Sequence, residues 1–147
     1  MKKNINWLYS QKVKDHFFNP KNFLKNKKPD FKFDGYGQVG SPACGDVMKF
    51  WIKIDPKTEK ITNVAWQTYG CASAIASTSI LSQMIIKNGG LKIKDALKIK
   101  PQDIVKELDG LPQIKIHCSV LGDQALKKAV ENYYQSKKQH KNRIRSK

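Results

Sequence analysis

Three cysteines, one histidine and one aspartate are the residues of this chain best suited to hold a soft metal. Cys44 and Asp46 lie two apart in the stretch GSPACGD, residues 40–46. Cys71 follows Gly70, and His117 directly precedes Cys118. On an unbroken strand, residues 44 and 46 share a face and reach one ion together. A bulge at Gly45 would re-aim them. Cys71 and Cys118 each stand where a helix is predicted to begin. Free amide groups and the helix dipole favour negative charge there. The same field lowers a thiol's pKa and makes it a better ligand or nucleophile.

Taken singly, each residue has a plainer role. A cysteine is often a small core hydrophobe. Asp46 suits a turn, and His117 suits a structural hydrogen bond. The grouping argues otherwise, because all three cysteines fall beside Gly, Asp, Ser or His at element ends and none lies inside an apolar stripe. Cys44, Asp46, Cys71, His117 and Cys118 are therefore expected to form one metal site. His117 and Cys118 are neighbours, so both bind one ion only if the local backbone is distorted. Five candidates for four positions point to ligand exchange rather than permanent capture. Thiolate with imidazole suits zinc and iron–sulfur chemistry equally.

Composition narrows the class. The 147 residues suffice for one domain with its own core. The net charge of +16 sits mostly in the ends: residues 1–28 hold eight lysines against one aspartate, and residues 137–147 hold six basic residues and no acid. Such ends suit an acidic partner or nucleic acid, or form a solvated tail. No aromatic residues interleave with the C-terminal charges, which argues against nucleic acid. No apolar run approaches a membrane span. The basic N-terminus lacks the apolar run of a signal peptide, so a cytoplasmic location is expected. Three cysteines without a C-x-x-C spacing favour free thiolates or metal ligands over disulfides. A Cys118–His117 nucleophilic pair is disfavoured, because such pairs come from separate segments.

The elements that would position the site follow from periodicity. Ser10 is a predicted N-cap, with Tyr9, Val13 and Phe17 at helical spacing before Asn19–Pro20 stops the helix. Residues 21–34 read as a surface loop. Gly35, Gly37 and Gly40 interrupt a short strand candidate. In residues 47–54, Met48, Phe50, Ile52 and Ile54 share one face of a half-buried strand. After the Asp55–Thr58 turn, residues 61–69 return with less regular alternation. Ala72, Ala76, Ile80 and Met84 then predict a helix that stops at Gly89–Gly90. Residues 94–98 suit one helical turn, and Pro101 opens a short helix closed by Gly110. Leu121, Ala125, Ala129 and Tyr133 mark a final helix. From Ser136 the periodicity is lost, and residues 137–147 are expected to be a disordered basic tail behind a single domain of residues 1–136. The fold class is α+β, a small antiparallel sheet with helices packed on one face.

Four segments in order, YSQKVKDHFFNPKN, GSPACGDVMKFWIKI, TYGCASAIASTSI and KIHCSVLGDQALKKAV, resemble the IscU/NifU N-terminal family of iron–sulfur cluster scaffold proteins. The resemblance spans about residues 9–135. It implies a three-stranded antiparallel sheet with helices on one face, of the IscU/SufE-like kind. It implies a non-enzymatic scaffold that builds a [2Fe-2S] cluster from iron and sulfur supplied by a cysteine desulfurase. The cluster then passes to apo-protein acceptors, with ferredoxin or frataxin-like donors as further partners. The chain would act as a monomer or homodimer, without membrane or nucleic acid. By motif, the implied cluster ligands are Cys44, Cys71 and Cys118, with Asp46 or His117 as an exchangeable fourth and Cys118 as sulfur acceptor. Zinc would substitute in purified protein, and a zinc protein of the same fold is the alternative.

Three departures stand out. The family's LPPVK segment, which an Hsp70-type chaperone recognises, reads LPQIK here, from Leu111 to Lys115. Gln113 in place of proline weakens the expectation of that partner. Longer NifU-type chains continue into further cluster-binding domains where this one has basic residues. Ala72 stands where many members have glycine, a change expected to matter little.

Overall fold

A computed structural model describes residues 10–25, 27–40, 47–69, 72–110 and 120–145. The order of elements is α1 (Gln11–Phe18), β1 (Gly35–Val39), β2 (Met48–Asp55), β3 (Lys60–Thr68), α2 (Ala72–Ile86), α3 (Ile93–Ala96), α4 (Pro101–Glu107) and α5 (Val120–Arg145). The strands form one antiparallel sheet in the order β1-β2-β3.

Strand β2 alternates as its sequence predicts. Met48, Phe50, Ile52 and Ile54 are buried on the face that α5 and α2 cover. The irregular alternation of β3 has a simple cause. Lys53 pairs with Asn63 and Ile54 with Ile61, so Thr62 is an extra residue in a bulge. Val64, Trp66 and Thr68 point inward on one side of the bulge and Ile61 on the other.

Gly35 and Gly37 do not interrupt β1. A Cβ on Gly35 would lie 2.3 Å from the Ala129 carbonyl oxygen, and one on Gly37 would lie 2.2 Å from that of Ala125. Helix α5 therefore rests backbone to backbone on β1, and Asn132 Oδ1 accepts the Tyr36 N–H at 2.9 Å. Ala125, Ala129 and Tyr133 of its expected stripe are buried against the sheet.

Helix α2 is buried nearly all round rather than along one stripe. Ser73, Ser77, Thr78, Ser79 and Ser82 are all inside. Two of these hydroxyls make local bonds: Ser77 Oγ donates to the Ala74 carbonyl and Ser82 Oγ to that of Ser79. Ser79 Oγ accepts the Lys21 N–H at 2.7 Å and lies 2.7 Å from His16 Nδ1. Burial, and next the charge of Lys21, hold the His16 imidazole below its ordinary pKa of 6.5. The N-terminal helix is thereby fastened to α2. Ser10 caps α1 by accepting the Val13 N–H at 3.1 Å, and its own hydroxyl donates to the Leu108 carbonyl.

Two expectations are corrected. The loop of residues 21–34 is not wholly at the surface. Leu24 is buried with Trp51 and Ala65 on the back of the sheet, where Phe31 and Tyr36 pack against them. Its backbone runs beside β3, with Asn22 accepting the Trp66 N–H and Leu24 donating to the Trp66 carbonyl. Apolar residues spaced irregularly in a loop show no period, so the covering role was invisible. The second correction concerns the basic C-terminus. Helix α5 passes Ser136 and continues to Arg145, where a disordered tail was expected. Lysine, glutamine and arginine have high helix propensity, and a packed helix carries such residues onward. Lys137 anchors this stretch, with Nζ 3.1 Å from Glu59 Oε1 and 5.7 Å from the Tyr133 ring centroid.

Two outcomes follow from this packing. Gly37→Ala should lower unfolding free energy in urea by about 3 kcal/mol or more, because overpacking here meets backbone rather than a movable side chain. Gly89→Ala, with nothing within 4 Å but a φ of +88°, should lose only about 1–2 kcal/mol. Because the folded His16 has the lower pKa, the unfolded chain binds the extra proton. Its contribution is then complete above pH 6.5 and is lost as pH falls through the folded value. Urea midpoints from pH 7.5 to pH 5 should fall less steeply for His16→Gln than for the unaltered chain.

Candidate metal centre

The antiparallel register places Val39, Met48 and Thr68 side by side at one rim of the sheet. From this rim the chain leaves β1 at Gly40 and re-enters at Val47, and it leaves β3 at Tyr69 to begin α2 at Ala72. Thr68 Oγ1 donates to the Val47 carbonyl at 2.8 Å, a buried bond that clamps the entry of β2 to the exit of β3. Nothing in the sequence pattern singled out Thr68. Its position at the end of an inward-facing run is the only signal.

Helix α5 reaches the same rim. Ala125 faces Gly37, and Ala129 faces Gly35 and Gly37, so the helix runs antiparallel to β1. Five residues separate Ala125 from Val120, about 7.5 Å at the helical rise. Two residues separate Gly37 from Val39, about 6.6 Å on a strand. The first turn of α5 is thus level with the rim. It also crosses α2, since a Cβ on Gly122 would lie 2.8 Å from Thr78 Oγ1. Two helix N-termini and three strand ends meet at one end of the molecule.

The five expected ligands lie outside the described residues. Cys44 and Asp46 belong to residues 41–46, Cys71 to residues 70–71, and His117 and Cys118 to residues 111–119, which also hold the LPQIK segment. Among the described residues no three His, Cys, Asp or Glu side chains group as a metal site. The structure does bring the described flanks together. Val47, Tyr69, Ala72 and Val120 each adjoin or nearly adjoin one of the expected ligands, and all belong to this rim.

One charged residue sits close behind it. Asp123, in the first turn of α5, is buried to 3% exposure. Its Oδ2 meets Lys127 Nζ at 3.1 Å, while Oδ1 has no hydrogen-bond partner among the described residues. A carboxylate in a helix's first turn is favoured by the dipole, which offsets part of the cost of burial. No described helix is long and apolar enough to cross a membrane.

The chain matches the model of the NifU-like N terminal domain over residues 8–141. It is 46% identical over 127 residues to the nitrogen fixation protein NifU of Azotobacter chroococcum mcd 1, covering 86% of this chain and 39% of that protein. The chain thus spans about two fifths of the length of the NifU proteins it matches. It is 46% identical over 129 residues to the iron-sulfur cluster assembly scaffold protein IscU of Buchnera aphidicola subsp. Acyrthosiphon pisum, with 88% of this chain and 97% of that one covered. Among solved structures, the N-terminal NifU-like protein of Brucella abortus superposes with a TM-score of 0.63 at 17% identity, over 89% of this chain and 97% of that one. The SUF-system scaffold of Fervidobacterium islandicum AW-1 gives 0.58 at 20% identity, over 84% and 97%. These two likenesses establish the shared fold. The sequence match over residues 8–141 establishes more: the chain belongs to the NifU-like N-terminal domain family.

Proposed function

We propose that this domain is a scaffold on which an iron–sulfur cluster of the [2Fe-2S] type is assembled and from which it is passed to apo-proteins. The observation that carries this reading is the single rim at which the flanks of all five expected ligands meet. Family membership supplies the chemistry. The IscU protein of Buchnera aphidicola, matched over 97% of its length, is named as an assembly scaffold. The reading describes a carrier that is loaded and emptied, not an enzyme that turns over. By likeness to that bacterial relative, the cytoplasm is its proposed compartment. The scaffold is proposed as one domain that includes the C-terminal helix as far as its anchor at Lys137.

Iron and sulfur are here the cargo. Cys44, Cys71 and Cys118 are the proposed thiolate ligands, since soft sulfur holds iron–sulfur clusters. Cys118 is the proposed sulfur acceptor. Its thiolate attacks the outer sulfur of a persulfide on a cysteine desulfurase; a new S–S bond forms as the old one breaks, and the desulfurase thiolate leaves. Each sulfur so delivered takes up two electrons to become sulfide, which a ferredoxin-like donor supplies. A frataxin-like protein is a further proposed partner. Gln113, where the family's LPPVK segment has proline, weakens the case for an Hsp70-type chaperone as a further partner.

Asp46 and His117 compete for the fourth position. A carboxylate is a harder and weaker partner for a sulfur-rich cluster than a thiolate. It leaves readily, is protonated, or yields to His117 or to an acceptor's thiol. Lability is then built into the ligand set, as a donor of clusters requires.

Anaerobic reconstitution with iron and sulfide tests the reading. The unaltered chain should gain visible charge-transfer absorption, and Cys71→Ser should form no stable cluster. Samples taken after incubation with a desulfurase, before iron is added, should carry persulfide at Cys118. Failure of the unaltered chain to develop that absorption would return the zinc protein as the better reading.

Asp46→Ala should hold its cluster longer than the unaltered chain and transfer it more slowly to an apo-ferredoxin at equal initial loading. Faster loss, or an unchanged transfer rate, would remove Asp46 as the release ligand.

A further inference from the structure

The face of the sheet that the described helices leave uncovered carries a compact basic depression at the same rim. Lys25, Lys27, Lys49, Gln67 and Tyr69 line an open hollow of about 680 Å³. Lys49 and Gln67 are register partners on β2 and β3. Lys49 lies three residues after Asp46, and Tyr69 two residues before Cys71. Tyr69 is 72% exposed, more than any other exposed large hydrophobic among the described residues.

Among the described residues the hollow holds no acid, and none of its three lysines forms an ion pair with a described residue. Its frame is nevertheless fixed. Gln67 Nε2 donates to the Leu24 carbonyl at 3.2 Å, and the Leu24 N–H donates to the Trp66 carbonyl at 2.8 Å. The backbone that presents Lys25 is thus tied to β3, which lowers the ordering cost of binding. A tyrosine beside three lysines matches an interface anchor with a charged surround.

We propose that this hollow is the docking surface for the acidic face of a protein that accepts the cluster. The proposal rests on the scaffold reading. Carboxylates of the acceptor would meet Lys25, Lys27 and Lys49, and an apolar edge would cover Tyr69. The position points to the kind of partner, because anything seated there lies beside Tyr69 and Lys49, two residues before Cys71 and three after Asp46 in the chain. A nucleic acid would need a track of cations with several stacking aromatics, and this patch is compact with one. Transfer is ligand exchange: acceptor thiolates would replace Cys44, Cys71, Cys118 and the fourth ligand, Asp46 or His117, at iron one for one, and no oxidation state changes. The patch adds no chemistry to that exchange and raises the rate of productive encounter.

The test compares two charge reversals of equal size in the cluster-loaded full chain. K25E/K27E alters the hollow. K57E/K94E alters two exposed lysines at the opposite end of the sheet, near the Asp55–Lys60 turn. All three proteins should reconstitute with the same visible absorption. Transfer to apo-ferredoxin at about 50 mM salt should fall roughly tenfold or more for K25E/K27E and stay within about twofold for K57E/K94E. The difference should close at about 0.5 M salt, where screening is nearly complete. Tyr69→Ala should slow transfer at both salt concentrations. Equal slowing by both reversals would reduce the effect to net charge and overturn the proposal, as would an unchanged rate in K25E/K27E. If K25E/K27E instead loses binding to oligo(dT) while transfer is unchanged, the patch serves nucleic acid and the proposal also fails. An unaltered chain that takes up no cluster removes the scaffold reading itself, a result distinct from any of these.

Discussion

Helix α5 meets β1 backbone to backbone at Gly35 and Gly37, and the position of the helix follows from that contact. Gly35 and Gly37 allow it, because any Cβ there would fall within 2.3 Å of a carbonyl oxygen of α5. The close approach fixes where the helix sits along the strand. That position sets the height of Val120 relative to the sheet, and so the place from which the His117–Cys118 segment departs. A helix held by long side chains would have latitude to slide; backbone contact at two successive inward positions leaves little.

The second constraint is the burial of α2. A helix surrounded on nearly all sides must be thin, and its alanines and serines make it so. Serine hydroxyls inside a protein need partners. Here they turn back to carbonyls of the same helix or reach out to Lys21, Asn22 and His16. The hydroxyls that satisfy the helix also fasten the N-terminal segment. The start of α2 is thereby held at the rim from one side while Thr68 and Val47 clamp the strands from the other. A site made of ligands from three distant stretches needs such support at the elements that flank them.

The two faces of the sheet are used differently. The inner face carries the continuous core. The outer face is only partly covered, by Leu24, Phe31 and Tyr36 around Trp51 and Ala65. Among the described residues that cover ends before the rim, and Lys49, Gln67 and Tyr69 line a hollow there. The described flanks of the expected ligands and this edge of the outer face therefore share one end of the domain.

Much of this was legible in the residues themselves. The alternation of Met48, Phe50, Ile52 and Ile54, the N-cap at Ser10, the proline that opens α4 and the stripe through Ala125, Ala129 and Tyr133 are local patterns, and local physics dictates them. The types of the five expected ligands and their places at element ends are also properties of the sequence, as is the motif resemblance. Other features depended on neighbours far along the chain. The glycines of β1 read as interruptions because the helix that requires them lies about 90 residues away. The extra residue at Thr62 is defined only by its partner strand. The loop that covers Trp51 has no period to reveal it, and the basic segment after Ser136 stays helical because the helix before it is packed. Above all, the sequence determined which residues are fit to bind a metal, while only the register of the sheet and the seating of α5 decided that their flanks meet at one rim. Ligand type is a property of one side chain, but convergence is a property of the packed chain.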